Sequence, residues 1–358
     1  MRKLDVTPGK HTFPFVLKAC TNCYSLLAGK QIHTHVLKFG LELDLYVING
    51  LIRCYVVTGH LDVGRVLFED APERNLVIWT TMISGYAQNF CSNEALRLFH
   101  QMVAEGVEPN SATLASVLSV CARSGSLDVG GQIHVFIREK GIEVGLILGT
   151  ALVDMYAKNG AISTARELFE EMPVKNTATW NAMICGLAVH GYVEEALELF
   201  GVLARERIRP NDVTFVGVLS ACCHAGMLDT GYEIFHSMKE KYEVEPKIEH
   251  YGCMVDLLGR DGRLFEAEEL INGMEWKADI VILGTLLGAC RNHGNIEIAE
   301  RVVKKMFDLE PHNHGVYVVL SNMYAETGQW QDVSILRKVM KNKSLSKIPG
   351  WSLVDGDI

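Results

Sequence analysis

The sequence has no surplus of positive charge. Its 34 Lys and Arg residues face 43 Asp and Glu, a net charge of −9 over 358 residues. Affinity for nucleic acid usually rests on neutralising phosphates with a basic surface. Any such function must here come from organisation, not bulk charge. No apolar run reaches membrane-spanning length: the closest, around Ile280–Leu287, is short and interrupted by Gly284 and Thr285. No membrane partner is expected. The opening MRKLDVTPGKHTF has neither an apolar signal core nor an Arg/Ser-rich leader. A P-loop, a G-x-S-x-G elbow and a dinucleotide fingerprint are all missing.

Metal-binding spacings are equally sparse. The lone C-x-x-C, Cys20–Cys23, is at best half of a structural zinc site. Two H-x-H pairs occur, His33/His35 and His312/His314. Residues two apart on a helix do not share a face, which argues against metal binding by His33/His35. No metal, no cofactor and no intrinsic enzyme are expected.

What the chain does have is apolar content and repetition. Hydrophobic residues make up 48% of it, enough for an extensive core. Its ten cysteines occur without the features of a small secreted domain, so reduced, buried thiols are expected. WTTMISGYAQNF (Trp79–Phe90) is restated as WNAMICGLAVHG from Trp180, 101 residues on. GKQIHTHVLKFG and GGQIHVFIREKG align at the same offset. So do Cys20, Cys121 and Cys222, Pro72 with Pro173, and Pro109 with Pro210.

Inside the long period lie shorter units. Trp180, Met183, Ile184 and Leu187 recur at the spacing of one helical face. Gly191 interrupts, and Ala196, Leu199, Phe200 and Leu203 trace a second stripe before Pro210. Each unit is thus a helical hairpin that cannot bury its apolar faces alone. Units 10–44, 45–75 and 76–110 have 35, 31 and 35 residues, and 111–145, 146–176 and 177–211 repeat those lengths. The 101-residue period is a triplet of unequal hairpins.

These letters resemble the pentatricopeptide repeat (PPR) family, specifically the plant PLS subclass, in which P, long (L) and short (S) repeats alternate. WTTMISGYAQ with EALRLFHQMVAEGVEPN is P-like, TLASVLSVC is L-like, and TALVDMYAKNGAISTARELFEEMPVKN is S-like. The resemblance divides an array at 10–279 into L 10–44, S 45–75, P 76–110, L 111–145, S 146–176, P 177–211, L2 212–247 and S2 248–279. It places E1 and E2 motifs in 280–347. Residues 1–9 read as the tail of a truncated repeat and 348–358 as a C-terminal tail. The implied fold is all-α, a right-handed α-solenoid superhelix of stacked helix-turn-helix hairpins, expected as a monomer. Upstream repeats and an organelle-targeting leader are expected to be missing, since no targeting peptide is visible. A DYW deaminase domain is also expected to be absent: no histidine has Glu two residues later, and the chain stops soon after KIPGWSLV.

RNA-reading helical repeats bind one base per repeat through two or three side chains. The resemblance assigns base reading to Asn49 with Asn75, Thr80 with Asn110, Thr150 with Asn176, and Asn181 with Asn211. It assigns base sandwiching to Tyr46, Val77, Ile147, Ala178 and Val213. The family's code reads Thr–Asn as adenine and Asn–Asn as a pyrimidine. The implied core, 5′ to 3′, is pyrimidine, A, unspecified, A, pyrimidine. The unspecified base faces Ala115 and Gly145; Pro14/Asp44 and Val216/Lys247 are weak readers. On single-residue physics, the same asparagines at unit boundaries suit helix N-caps and turns. The run Arg337, Lys338, Lys341, Lys343 and Lys347 fits phosphate, an acidic partner or an ordinary solvated face.

The resemblance implies a site-recognition factor for C-to-U editing in mitochondrion or chloroplast. It would bind single-stranded organellar RNA and work with a DYW-type deaminase and accessory editing proteins in trans. A protein-binding α-solenoid is the rival, though the W-x₂-L-G-x₂-Y spacing of tetratricopeptide scaffolds is not evident. RNA splicing or stability is a third reading.

Overall fold

The computed structural model describes residues 8–342 except His312, and leaves the side chains of His314, Lys341 and Asn342 aside. The expectations for residues 1–7, for His312, for Lys343 and Lys347, and for the tail 348–358 lie outside the described residues. Among the described residues there are twenty helices and no strand. They run α1 (Thr12–Asn22), α2 (Leu26–Lys38), α3 (Leu45–Val57), α4 (Leu61–Glu69), α5 (Leu76–Gln88), α6 (Ser92–Ala104) and α7 (Ser111–Ser124). Next come α8 (Leu127–Glu139), α9 (Leu146–Lys158), α10 (Ile162–Glu171), α11 (Thr177–Val189), α12 (Val193–Arg205), α13 (Asp212–Ala225) and α14 (Leu228–Glu240). The last six are α15 (Ile248–Arg260), α16 (Leu264–Asn272), α17 (Ile280–Asn292), α18 (Ile296–Leu309), α19 (His314–Glu326) and α20 (Trp330–Asn342).

Within each unit the odd-numbered helix pairs with the even one after it: α1–α2 through α9–α10 in the first, and α13–α14 through α19–α20 in the second. The unequal repeat lengths arise in the second helices. α2, α6 and α8 have 13 residues, whereas α4 has 9 and α10 has 10. Hairpin turns use residues that tolerate left-handed backbone: Gly191 has φ of 80° in the turn between α11 and α12.

The chain divides into two compact units between Gly186 and Leu187, inside α11. In the first unit, α1, α3, α5, α7 and α9 pack successively, each on the next. The apolar stripes explain why. Ile78, Trp79, Met82 and Ile83 of α5 are fully buried, as are Leu114, Val117 and Leu118 of α7. Burying such side chains contributes roughly 1.5–3 kcal/mol each. Trp79 meets Phe68 edge-on at 4.8 Å, and Trp180 meets Phe169 at 5.0 Å, so one aromatic joint recurs with the long period. A Cβ on Gly85 would come within 2.0 Å of Val56 Cγ1, so glycine there permits the close approach of α5 to α3.

In the second unit, α13, α15 and α17 form the corresponding succession. Its core runs through Val255, Leu258, Leu283, Leu286, Ala299 and Val302. Cys121 and Cys222, one in each unit, are fully buried, and burial pushes both thiols up to about 11. Such thiols are packing groups, not nucleophiles. Cys20 is buried, but Cys23 is exposed. His33 has a packing role too: its Nδ1 lies 2.9 Å from the Tyr55 hydroxyl, and His134 repeats this with Tyr156 at 3.0 Å.

Candidate RNA-reading surface

The boundary asparagines are helix caps. Asn75 Oδ1 accepts from the backbone N–H of Val77 and of Ile78, both at 3.1 Å. Asn110 Oδ1 accepts from Thr113 N at 2.9 Å, and Asn176 Oδ1 from Thr179 N at 3.0 Å. Asn211 forms a capping box with Thr214. A capping side chain satisfies one of the donors that every helix start leaves open, at about 1 kcal/mol. Capping orients the amide: the oxygen must face the N–H groups, so Nδ2 faces away. Among the described residues, nothing engages Nδ2 of Asn75, Asn110 or Asn176. Asn110 and Asn176 are exposed and Asn75 is half-buried. Capping and outward presentation are therefore compatible roles for one residue.

Two of the four expected pairs are joined through a third side chain. Thr80 Oγ1 lies 2.7 Å from Thr113 Oγ1, and Thr113 Oγ1 donates to Asn110 Oδ1 at 2.9 Å. Thr150 Oγ1 lies 2.7 Å from Thr179 Oγ1, which donates to Asn176 Oδ1 at 3.0 Å. Thr113 and Thr179 are wholly buried. The pair Asn49 and Asn75 differs. Asn49 Oδ1 accepts from the Thr81 hydroxyl at 2.7 Å, and the position of the bridging threonine is taken by buried Ile78. Asn181, at the C-terminal end of the first unit, is only 6% exposed. Asn211 belongs to the second unit, where it starts α13.

The expected stacking residues occupy the second position of the first helix in their hairpins. Tyr46 is 74% exposed, Val77 55%, Ile147 70% and Val213 48%. Ala178 is exposed as well. Large apolar side chains left in water at one repeated register are unusual for residues with no partner. Val281 of α17 shares that register and is also exposed. Sequence reasoning passed over it, although its place directly after the first residue of a capped helix was visible. A shallow groove of about 260 Å³ adjoins Thr80, lined also by Arg53, Thr81, Ser84 and Gln88.

The second unit treats the same register differently. Lys247 stands at the position held by Asn75, Asn110, Asn176 and Asn211 in their repeats, and its ammonium is paired with Asp212. His250 replaces the bridging threonine and is fully buried. Its Nδ1 accepts from Lys247 N at 2.9 Å and its Nε2 donates to Asp212 O at 2.9 Å. Lys247 holds the Asp212 carboxyl below its usual range. Further along, Arg301 clamps Glu268 through Nε at 2.9 Å and Nη2 at 2.7 Å. That fork likewise holds the Glu268 carboxyl below its usual range. In the basic run, Arg337 and Lys338 are exposed, and Arg337 Nε reaches Ser321 Oγ at 3.3 Å.

Comparison with known proteins agrees with this architecture. The model of the PPR repeat family matches residues 74–123 and 175–224. A PPR repeat model matches 150–177, 213–242 and 249–277, and an E motif model matches 293–355. A chloroplastic pentatricopeptide repeat-containing protein of Arabidopsis thaliana is 42% identical over 359 residues, covering 100% of this chain and 48% of that protein. A mitochondrial one from the same plant is 39% identical over 354 residues, covering 98% and 76%. The chain spans about half the length of the first of these relatives. Among solved structures, the pentatricopeptide repeat protein PPR10 from maize superposes with a TM-score of 0.72 at 17% identity, covering 97% of this chain and 56% of that one. PPR10 in complex with an 18-nt psaJ RNA element gives 0.72 at 20%, covering 97% and 52%. These likenesses show the helical-repeat solenoid fold.

Proposed function

The chain belongs to the pentatricopeptide repeat family, and from that premise we propose that it is a sequence-specific binder of single-stranded RNA acting in organellar RNA processing. The observation that carries the reading is the recurrent joint of the first unit. There the capping asparagines Asn75, Asn110 and Asn176, with outward Nδ2 groups, close the repeats that exposed Tyr46, Val77 and Ile147 open. An exposed apolar side chain offers a stacking surface, which contributes roughly 1–3 kcal/mol per base. The amide and hydroxyl beside it offer hydrogen bonds to a base edge.

The finer reading is recognition of pyrimidine, A, unspecified, A, pyrimidine. Asn49/Asn75, Thr80/Asn110, Thr150/Asn176 and Asn181/Asn211 are its reading pairs. The E motif match supports a role in C-to-U editing, with a DYW-type deaminase and accessory proteins supplied in trans. Relatives named as chloroplastic or mitochondrial support an organellar location. In this account the chain selects the site and another protein performs the deamination.

Gel shift with a short RNA bearing the C-A-N-A-C core, against a copy with both adenines changed to guanine, tests base reading. Each mismatch is expected to cost roughly 1–3 kcal/mol. Equal binding to both, or to neither at low salt, removes the reading. Sequencing organellar transcripts from a knockout tests the editing role. Loss of C-to-U conversion at one or a few sites is expected, and unchanged editing throughout contradicts it.

A further inference from the structure

We propose that Thr113 and Thr179, buried residues that face no solvent, are positioning residues that set which bases the preceding repeat accepts. The inference rests on the RNA-binding reading and concerns how it achieves selectivity.

The argument is a count of protons. At the first joint, three oxygen–oxygen contacts link four groups: Thr80 Oγ1 to Leu76 O at 2.8 Å, Thr80 Oγ1 to Thr113 Oγ1 at 2.7 Å, and Thr113 Oγ1 to Asn110 Oδ1 at 2.9 Å. Two hydroxyl protons serve these three contacts. Every distribution that uses the contacts keeps both protons inside the cluster. Thr80 then shows the groove only lone pairs, as an acceptor. Asn110 Oδ1 is occupied by Thr113 N–H and, in the arrangement drawn by the capping geometry, by the Thr113 hydroxyl as well. Asn110 therefore shows only its Nδ2 hydrogens, as a donor. Turning the amide over would set Nδ2 against the Thr113 N–H. At the second joint, Thr179 receives Asn176 N–H at 3.4 Å and contacts Thr150, while its own proton goes to Asn176 Oδ1.

An acceptor beside a donor matches adenine, which offers the N6 amine next to the N1 acceptor. Guanine inverts both groups: O6 replaces the amine, and N1 carries a hydrogen. Uracil inverts them likewise, whereas cytosine keeps adenine's polarity on a smaller ring. The joint thus repels guanine and uracil at two atoms each. At the Asn49/Asn75 joint, with Ile78 in the threonine's place, both asparagine oxygens are engaged and both amides offer donors. Two donors suit the N3 and O2 acceptors of cytosine.

The test uses the full chain and RNA oligonucleotides carrying C-A-N-A-C, with either adenine singly changed to guanine. Thr113→Val keeps the side chain's shape and deletes its hydroxyl, which leaves the Thr80 proton on Leu76 O and frees one lone pair of Asn110 to accept from guanine. The adenine-over-guanine ratio at the first adenine is expected to fall about fivefold, with the second adenine unaffected. Thr179→Val is expected to do the reverse, and Thr113→Ser to restore the first ratio. A discriminating wild type whose ratio is unchanged in both valine variants overturns the inference and leaves the RNA-binding reading standing. A uniform loss at both adenines marks a merely structural role and also overturns it. A wild type that binds all the RNAs alike, or none of them, overturns the reading beneath it.

Discussion

The joint between α5 and α7 and the joint between α13 and α15 share a helical register and use opposite chemistry. In the first, Thr80, Thr113 and Asn110 form a neutral relay that turns an acceptor and a donor outward. In the second, His250 spends both ring nitrogens on the backbone, and Lys247 spends its charge on Asp212. One joint leaves hydrogen-bonding capacity for a ligand; the other consumes it internally. Helical hairpins supply the register, and three side chains per joint decide how much hydrogen-bonding capacity is left for a ligand.

The comparison can be broken from either side. The largest stability effect is expected at the closed joint. His250→Ala removes a fully buried imidazole and its bonds to the partly buried Lys247 N–H and Asp212 carbonyl, so chemical denaturation should show a loss of about 2–3 kcal/mol, while base preference is unchanged. Altered base preference would mean that the closed joint reads after all. At the open joint, Asn110→Asp replaces the outward donor with an acceptor. Binding titrations should show preference at the first adenine moving toward guanine by about tenfold, with little change in stability because aspartate caps as well as asparagine. Asn75→Ala should cost about 1 kcal/mol of stability through the lost cap and weaken selectivity for the 5′ pyrimidine.

The smallest effect concerns acid. The folded-state pKa of Glu268 is depressed by Arg301, so its stabilisation is complete above the unfolded carboxylate value, near 4.3, and fades as pH falls through the folded value. Melting curves between pH 3 and 6 should show Glu268→Gln flattening the acid limb by about 1 °C. An acid limb identical to that of the wild type would show that this ion pair contributes nothing measurable.

Local features were legible in the letters. The stripe Trp180, Met183, Ile184 and Leu187 is buried as its spacing indicates. Boundary asparagines were legible as caps because capping spans three residues. The relays were not, because Thr80 and Thr113 are 33 residues apart and Thr150 and Thr179 are 29 apart. A threonine at the third position of a helix reads in isolation only as half of a capping box. The burial of Asn181 escaped for a similar reason: a polar residue beside the Trp180 landmark gives no local sign of its burial. His250 was hidden because nothing about a histidine in sequence says that both its nitrogens are spoken for.

Selection from a pool of random RNA sequences tests the central claim most directly, since it presumes no target. The account predicts recovered RNAs with two adenines separated by one unconstrained base and flanked by a pyrimidine on each side. Recovery of no common sequence, or of guanine or uracil at the two adenine positions, would contradict it.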